Sequence, residues 1–556
     1  MNIRKILFVA AALIPVLVSC TGGKDSGKIR PVKNVILMVP DGTSTSVLSV
    51  VRWFREYGNP QNAQASLSFD PYVCGLVRQY CSDSPIAGSP AAMSAYMTGY
   101  RLRSPNLSIY PKSRGNQDIV SIDTARTFQP LATSMEAAKI LKGKATGLVV
   151  TVKADHATPA ATASHCMSRN DDHTIIRQMA SNDIDVVFGG GTKYMEDDVK
   201  AILEENGTRY IEKDLNAFRS LESGKAWALF ADSEMSFDAD RDSLKEPSLS
   251  EMTSKALQLL SRNRKGFFLM VEGSHVDYAA HSNDPMGIIS EMEAFDKAVS
   301  VALDFAEKDG NTTVIVVPDH GNSAMTIGDR NYTSYSDKGL DSAFVMLPQY
   351  RGTSYALSGI IQNCPASEIR TVFKERTGID LTDAEEKAII ETKNVVEQDY
   401  MKVSFSWNIM SVVTSILNSH THIGYVSGSH TSEDVFLAVY NPYGQTPSGV
   451  IDGTELSGYI CAELGLPETL DELTSQIYVR HDVLLKGRDF AVKGADGSDK
   501  PGKDPVLSID GGRITVPANR SYAMKGDTKI PLGSVSVYVP QNGMFYVSGK
   551  LLDCLK

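Results

Sequence analysis

Short apolar runs punctuate the chain at Asn34 to Val39 (NVILMV), Ala145 to Val152 (ATGLVVTV), Ile184 to Phe188, Phe267 to Val271 (FFLMV), Thr313 to Val317 (TVIVV) and Asp434 to Tyr440 (DVFLAVY). Continuous apolarity without alternation marks strands buried on both faces, as in a parallel sheet. Helical stretches fall between them. Ala91 to Tyr96 is closed by Gly99, and Gly287 to Glu307, Ser367 to Thr392 and Ile451 to Leu466 carry helical periodicity. This alternation predicts an α/β fold with a mostly parallel central sheet covered by helices on both faces. Residues 195–265 read as covering helices and loops, and residues 321–425 as an insertion before the last strand. Beyond about Pro467, short β-prone runs at Gly512 to Val516, Ser534 to Val539 and Gly543 to Val547 alternate with turns. They predict a small C-terminal β module over 467–556, which includes the linker-like Ala495 to Asp504 (ADGSDKPGKD).

Size and charge narrow this picture. The chain has 556 residues, 42% hydrophobic and 22% charged, ordinary values for a globular protein with room for one large domain and an appendage. Its net charge of −11 and the lack of a basic run argue against nucleic acid as a specific partner. Small phosphorylated substrates remain compatible, because bound metals reverse the sign of a cleft. The first twenty residues read as an address: Arg4 and Lys5, an apolar core from Ile6 to Val18, then Leu17-Val18-Ser19-Cys20. Small residues before a cysteine resemble a bacterial lipoprotein signal, with a plain secretory signal or uncleaved anchor as alternatives. Cleavage would leave Cys20 as a lipidated terminus, residues 21–30 as a tether, and a main body over 31–466 held periplasmically or at the cell surface. Among the remaining cysteines, Cys74 with Cys81 is the most plausible local disulfide.

The chemistry-bearing residues gather where strands end. Glu272 closes the Phe267 run, and Asp277 and His281 follow four residues apart, on one side of a helical turn. Asp41 sits in Pro40-Asp41-Gly42 after the first strand, and Asp319-His320 in a second Pro-Asp-His-Gly turn. The carboxyl edge of an open α/β sheet is where ligands bind. Carboxylate and imidazole together suit zinc, whereas carboxylate, hydroxyl and water suit magnesium; surface Asp/His pairs and Asx turns are the plainer reading of each piece alone. Ser89 before Pro90 reads as a helix cap, at the positive end where an anion binds. Ser84-Pro85 offers a rival start, but a helix from there would carry Gly88 and Pro90 inside, the proline costing about 3 kcal/mol. Thr158, before Pro159, either caps a helix or offers its hydroxyl to a hard cation. Arg169 either clamps an oxyanion or pairs on the surface. His165 and His173 read as structural, and His420 and His422 as loop residues; His430 lies in Gly-Ser-His-Thr before the last strand.

Taken together, VPDGTS, EGSHVDYAAH, VPDHG and GSHTSEDV, in that order and spacing, resemble the alkaline phosphatases from about Asn34 to Leu466. The resemblance implies hydrolysis of phosphate monoesters through a phosphoserine, with two Zn2+ and one Mg2+ per chain, and a homodimer. It implies Asp277, His281 and His430 for the first zinc, and Asp41, Asp319 and His320 for the second. Asp41, Thr158 and Glu272 would form the third site, Ser89 the nucleophile and Arg169 the phosphate clamp. The family's Asp-Ser-Ala is here Gly88-Ser89-Pro90, so the acid that helps orient the arginine is missing. His156 and Tyr278 occupy positions that vary in the family and affect the third site. The alternatives are a phosphodiesterase or sulfatase of the same superfamily, or a metal- or phosphate-binding lipoprotein without catalysis. The sulfatase pattern needs an arginine that Ser89-Pro90-Ala91-Ala92-Met93 lacks.

Overall fold

A computed structural model describes residues 28–58, 65–330, 339–494 and 504–555. The signal segment, Cys20 and most of the tether and of the 495–504 linker lie outside the described residues. A ten-stranded sheet organises the rest. In chain order its strands are β1 (Asn34–Pro40), β2 (Val73–Arg78), β3 (Ala145–Lys153), β4 (Val186–Gly190), β5 (Thr208–Glu212), β6 (Lys225–Leu229), β7 (Phe267–Gly273), β8 (Thr312–Val316), β9 (Val435–Tyr440) and β10 (Gly449–Asp452). In space they run β10-β2-β9-β8-β1-β7-β3-β4-β6-β5. All neighbouring pairs are parallel except those of β9, which is antiparallel to both β2 and β8.

The apolar runs are continuous because both faces of the sheet are covered. On β7, Phe267, Leu269 and Val271 enter one core while Phe268 and Met270 enter the other. On β1, Ile36 and Met38 face the first, and Val35, Leu37 and Val39 the second. The period of two is therefore present, with both of its phases apolar.

Two expectations need correction. Residues 195–265 are not only covering helices and loops, since they supply β5 and β6 at one edge of the sheet. β5 (Thr-Arg-Tyr-Ile-Glu) is half-polar and β6 (Lys-Ala-Trp-Ala-Leu) has an apolar run of only four residues, so neither carries the longer apolar signal of the central strands. The Cys74–Cys81 disulfide does not form, and the described cysteines are all free thiols. Cys74 lies on β2 with Sγ 3.6 Å from the Leu437 carbonyl of β9, whereas Cys81 is buried beyond the strand end in a cluster with Ala87, Ala91 and Leu102.

Between β8 and β9 the chain forms helices at Ser354–Asn363, Ile369–Thr377, Asp383–Thr392 and Ile409–Ser419, and a 3-10 turn at Tyr400–Phe405. The Ser367–Thr392 periodicity is divided at Gly378, whose φ of 75° ends one helix before the next begins. At the C-terminus, strands from Phe490 to Pro531 make a five-stranded antiparallel sheet, and Val479–Arg480, Met544–Val547 and Val537–Val539 a three-stranded one. Leu507, Ile509, Val516 and Phe545 form a separate core there. No helix among the described residues is long and apolar enough to cross a membrane.

Gly266 launches β7, the strand that carries Glu272, with φ at +87° and an ideal Cβ 2.0 Å from the Lys33 carbonyl oxygen. Gly266→Ala meets both a left-handed backbone and immovable main chain. We expect a loss of about 1–3 kcal/mol, read as a lowered thermal midpoint; an unchanged midpoint would show that β1 and β7 yield without cost.

Candidate active site

Parallel strands side by side bring their carboxyl ends to one edge, and the register fixes which residues meet there. Val39 pairs with Glu272, and Pro40 with Gly273. Asp41 and Gly42 follow β1, Glu272 closes β7, and Asp319 and His320 follow β8. Gly42 is required at its turn: its φ is +59°, and a Cβ would lie 2.1 Å from Asp277 Oδ1. Its N–H donates to Asp319 Oδ1 at 3.1 Å, tying the two turns together.

After β7 a short helix, α1 (His275–His281), places Asp277 in its first turn and His281 in its last, with Oδ2 and Nε2 3.4 Å apart. His430 Nε2 stands 3.2 Å from His281 Nε2 and 3.7 Å from Asp277 Oδ1. Beside this group, His320 Nε2 lies 3.5 Å from Asp41 Oδ1 and 3.4 Å from Asp319 Oδ2. The three imidazoles share one device. Nδ1 of His281 faces the Gly428 carbonyl at 2.9 Å, that of His430 the Ala87 carbonyl at 2.9 Å, and that of His320 the Gly321 carbonyl at 3.2 Å. Each Nδ1–H donated to a carbonyl leaves the Nε2 lone pair turned into the shared space.

A third group holds Asp41, His156 and Glu272, with one candidate ligand atom from each within 4.8 Å of the others. Thr158 Oγ1 donates to Asp41 Oδ2 at 3.1 Å. Thr158 thus meets Asp41, and the His156 ring lies beside the two carboxylates. Asp41 Oδ1, both oxygens of Glu272, Asp277 Oδ2 and Asp319 Oδ2 are buried without a hydrogen-bond partner. Burial, with Asp319, Asp277 and Glu272 close by, drives the Asp41 carboxyl well above the usual range. Burial pushes Glu272 up to about 8 and Asp319 up to about 6. For Asp277 burial works the other way from its neighbours, and His281, His430 and His320 hold it well below the usual range. Burial takes His320 down to about 4 and His430 to about 3. Orphaned carboxylate oxygens and lone-pair imidazoles in one dry space are what divalent cations satisfy, so these residues fit a metal centre.

The serines are separated by their surroundings. Helix α2 (Ser89–Thr98) is capped by Gly88, so Ser89 is its first residue rather than the cap that the sequence suggests. Ser89 Oγ lies 3.2 Å from His320 Nε2. Ser84 Oγ instead accepts the Ile86 N–H within its own turn. Arg169 Nη2 donates to His156 Nε2 at 2.7 Å and to the Tyr400 hydroxyl at 3.2 Å. His165 belongs to a buried network away from this edge, with Nε2 3.0 Å from Glu136 and 2.6 Å from the Tyr478 hydroxyl. His173 pairs with Asp504 at 3.5 Å, and His422 lies 3.4 Å from Asp329.

Sequence reasoning passed over two residues here. Asn322 Nδ2 donates to Asp277 Oδ1 at 2.7 Å; its place two residues after His320 was the available signal. Tyr400 comes from the insertion, in a polar stretch that carries no such signal.

The alkaline phosphatase family model matches residues 32–466. Alkaline phosphatase 3 of Bacillus subtilis is 30% identical over 448 residues, covering 78% of this chain and 89% of that protein. The repressible alkaline phosphatase of Saccharomyces cerevisiae is 26% identical over 501 residues, covering 79% and 83%. Among solved structures, a cold-active alkaline phosphatase from Shewanella is 25% identical with a TM-score of 0.66, covering 78% of this chain and 99% of that one. The Thermus thermophilus alkaline phosphatase has the same identity and TM-score and covers 82% and 96%. A match of this length, on a fold whose strand ends gather these carboxylates and imidazoles, places the chain in the alkaline phosphatase family, as a phosphoric monoester hydrolase.

Proposed function

We propose that the protein hydrolyses small phosphate monoesters through a phosphoserine on Ser89, with two Zn2+ and one Mg2+ per chain. Asp277, His281 and His430 would hold one zinc and Asp41, Asp319 and His320 the other. Asp41, Thr158 and Glu272 would hold the magnesium, with the His156 ring beside them and its Nε2 accepting from Arg169. When bound, these cations supply Lewis-acid stabilisation of charge on the attacking and leaving oxygens. The observation that carries the reading is the 3.2 Å approach of Ser89 Oγ to His320 Nε2. It sets a hydroxyl at the start of a helix, against the ligand atoms of one metal group.

The residues divide the work. Ser89 Oγ attacks phosphorus as the bond to the leaving alcohol breaks, and its proton is lost to solvent; water then attacks the phosphoserine and releases orthophosphate. Arg169 holds the nonbridging oxygens, and the N-terminal end of α2 adds the positive end of its dipole. We also propose a lipid on Cys20 that anchors the enzyme to a bacterial membrane, in the periplasm or at the cell surface, and a homodimer as the working unit.

Ser89→Ala should lower kcat by roughly three orders of magnitude or more and abolish acid-trapped phosphoenzyme, while Ser84→Ala keeps both. The reverse pattern would move the nucleophile to Ser84.

Stability supplies an independent readout of the metals. In metal-free protein, Glu272 and Asp41 keep their protons in the folded state above the range where the unfolded chain has released them. The unfolded state then binds fewer protons, so stability falls as pH rises. The shift of Glu272 to about 8 places the window between the ordinary carboxyl range and about pH 8. The depressed His320 and His430 add little above neutrality; despite burial, Asp277 raises His281, which contributes in the same direction as the carboxyls. Chelator-stripped protein should therefore lose thermal midpoint from pH 7 to 8.5, and zinc with magnesium should flatten that slope. A flat profile in the stripped protein would remove the carboxylates as the reason for the metals.

For the anchor, Cys20→Ser in the full chain should move activity from the membrane fraction to the soluble one. Activity that stays with the membrane would assign the attachment elsewhere.

A further inference from the structure

The insertion contributes a side chain to the site. Tyr400 opens the 3-10 turn Tyr400–Phe405, whose start is fixed by Asp399 accepting the Met401 N–H at 3.1 Å. In the same turn, Ser404 Oγ donates to the Gly428 carbonyl at 3.4 Å, the carbonyl that also faces His281 Nδ1. The turn is thereby seated on the loop that orients a histidine of the centre. The Tyr400 ring stacks on Tyr278, with centroids 3.8 Å apart and planes at 17°, and meets His281 edge-on at 5.4 Å. Its hydroxyl lies 3.2 Å from Arg169 Nη2 and 3.4 Å from His156 Nε2.

Among the described residues no carboxylate pairs with Arg169, and these contacts stand in that place. Gly88 precedes the serine, and the hydrogen bonds of Nη2 run to an imidazole and a phenol. A guanidinium on a long, rotamer-rich stem needs such partners to hold one geometry. Burial raises the phenol above its ordinary range, so it remains a neutral hydroxyl that accepts from Arg169. Neutral partners orient the guanidinium without compensating its charge, and leave that charge for an anion.

We infer that Tyr400 is the positioning residue for Arg169, fixing the guanidinium for phosphate oxygens through its hydroxyl while its ring is locked on Tyr278. This rests on the phosphate-clamping role given to Arg169 above. Tyr400 acts through the arginine, so its removal weakens phosphate binding more than turnover.

The test uses the metal-loaded full chain, with 4-nitrophenyl phosphate as substrate and inorganic phosphate as inhibitor. Tyr400→Phe keeps the stack and removes the hydroxyl. It should raise KM and the phosphate inhibition constant together by about 3- to 30-fold, with kcat within about threefold and the thermal midpoint and metal content unchanged. Tyr400→Ala, which also loses the stack, should raise both constants further, and Met401→Ala in the same turn should leave them alone. In an Arg169→Ala background, Tyr400→Phe should have no added effect. Unchanged constants in Tyr400→Phe, a loss confined to kcat, or an undiminished effect without Arg169 would each overturn the inference. Inactive wild-type enzyme with full metal content would instead fail the phosphatase reading itself.

Discussion

Four carboxylates buried in one space are the constraint to which the rest of the structure answers. Asp41, Glu272, Asp277 and Asp319 are each no more than 1% exposed. Taking such a group out of water costs several kcal/mol, and their mutual repulsion adds to it. Only part of that is answered internally, by the imidazoles around Asp277, the Thr158 hydroxyl on Asp41 and the Gly42 N–H on Asp319. The orphaned oxygens that remain are the groups that bound cations would satisfy.

Holding such a site requires a scaffold that does not relax. The four central strands β8, β1, β7 and β3 are buried on both faces and hydrogen-bonded on both edges. Their carboxyl ends therefore cannot drift apart to ease the repulsion. Glu272 lies within β7, Asp41 directly follows β1, and Asp319 and His320 follow β8 within four residues, where the backbone is still held by the sheet. Glycine at residue 42 lets the first turn close against Asp277, a contact that any Cβ would block.

The periphery completes what the sheet cannot reach. Gly428 and Ala87, on different loops, set the histidine tautomers through their carbonyls. The insertion is pinned to the core by Asp284, which accepts from both the N–H and hydroxyl of Ser354 at 2.7 Å. From that base it presents Tyr400 to the arginine. The C-terminal sheets have an apolar core of their own and also meet the catalytic body, through Val537, Val539 and Tyr546 in the core of the main sheet and through buried polar contacts such as the Tyr478 hydroxyl donating to Glu136 at 2.6 Å.

By itself the sequence determined the central strands, the fold class and most of the residues that meet at the sheet edge. Doubly buried strands must be apolar at every position, and Asp41, Glu272, Asp319 and His320 stand at or just past their ends, so local spacing carries both signals. The edge strand β5 escaped because a half-exposed strand needs no continuous apolar run, and the buried β6 because its apolar run is only four residues long. The cap at Gly88, one residue before Ser89, was hidden because Gly88, Ser89 and Pro90 all suit a helix start. The pairing of Cys74 and Cys81, seven residues apart, was suggested by nearness along the chain, but β2 carries one into a strand pair and leaves the other in a separate pocket. Only the tertiary structure decided that His156 joins Asp41 and Glu272, that Ser89 rather than Ser84 meets His320, and that Tyr400 reaches Arg169. Each of these joins segments that the chain brings together only by folding, and no local pattern encodes a distance between them.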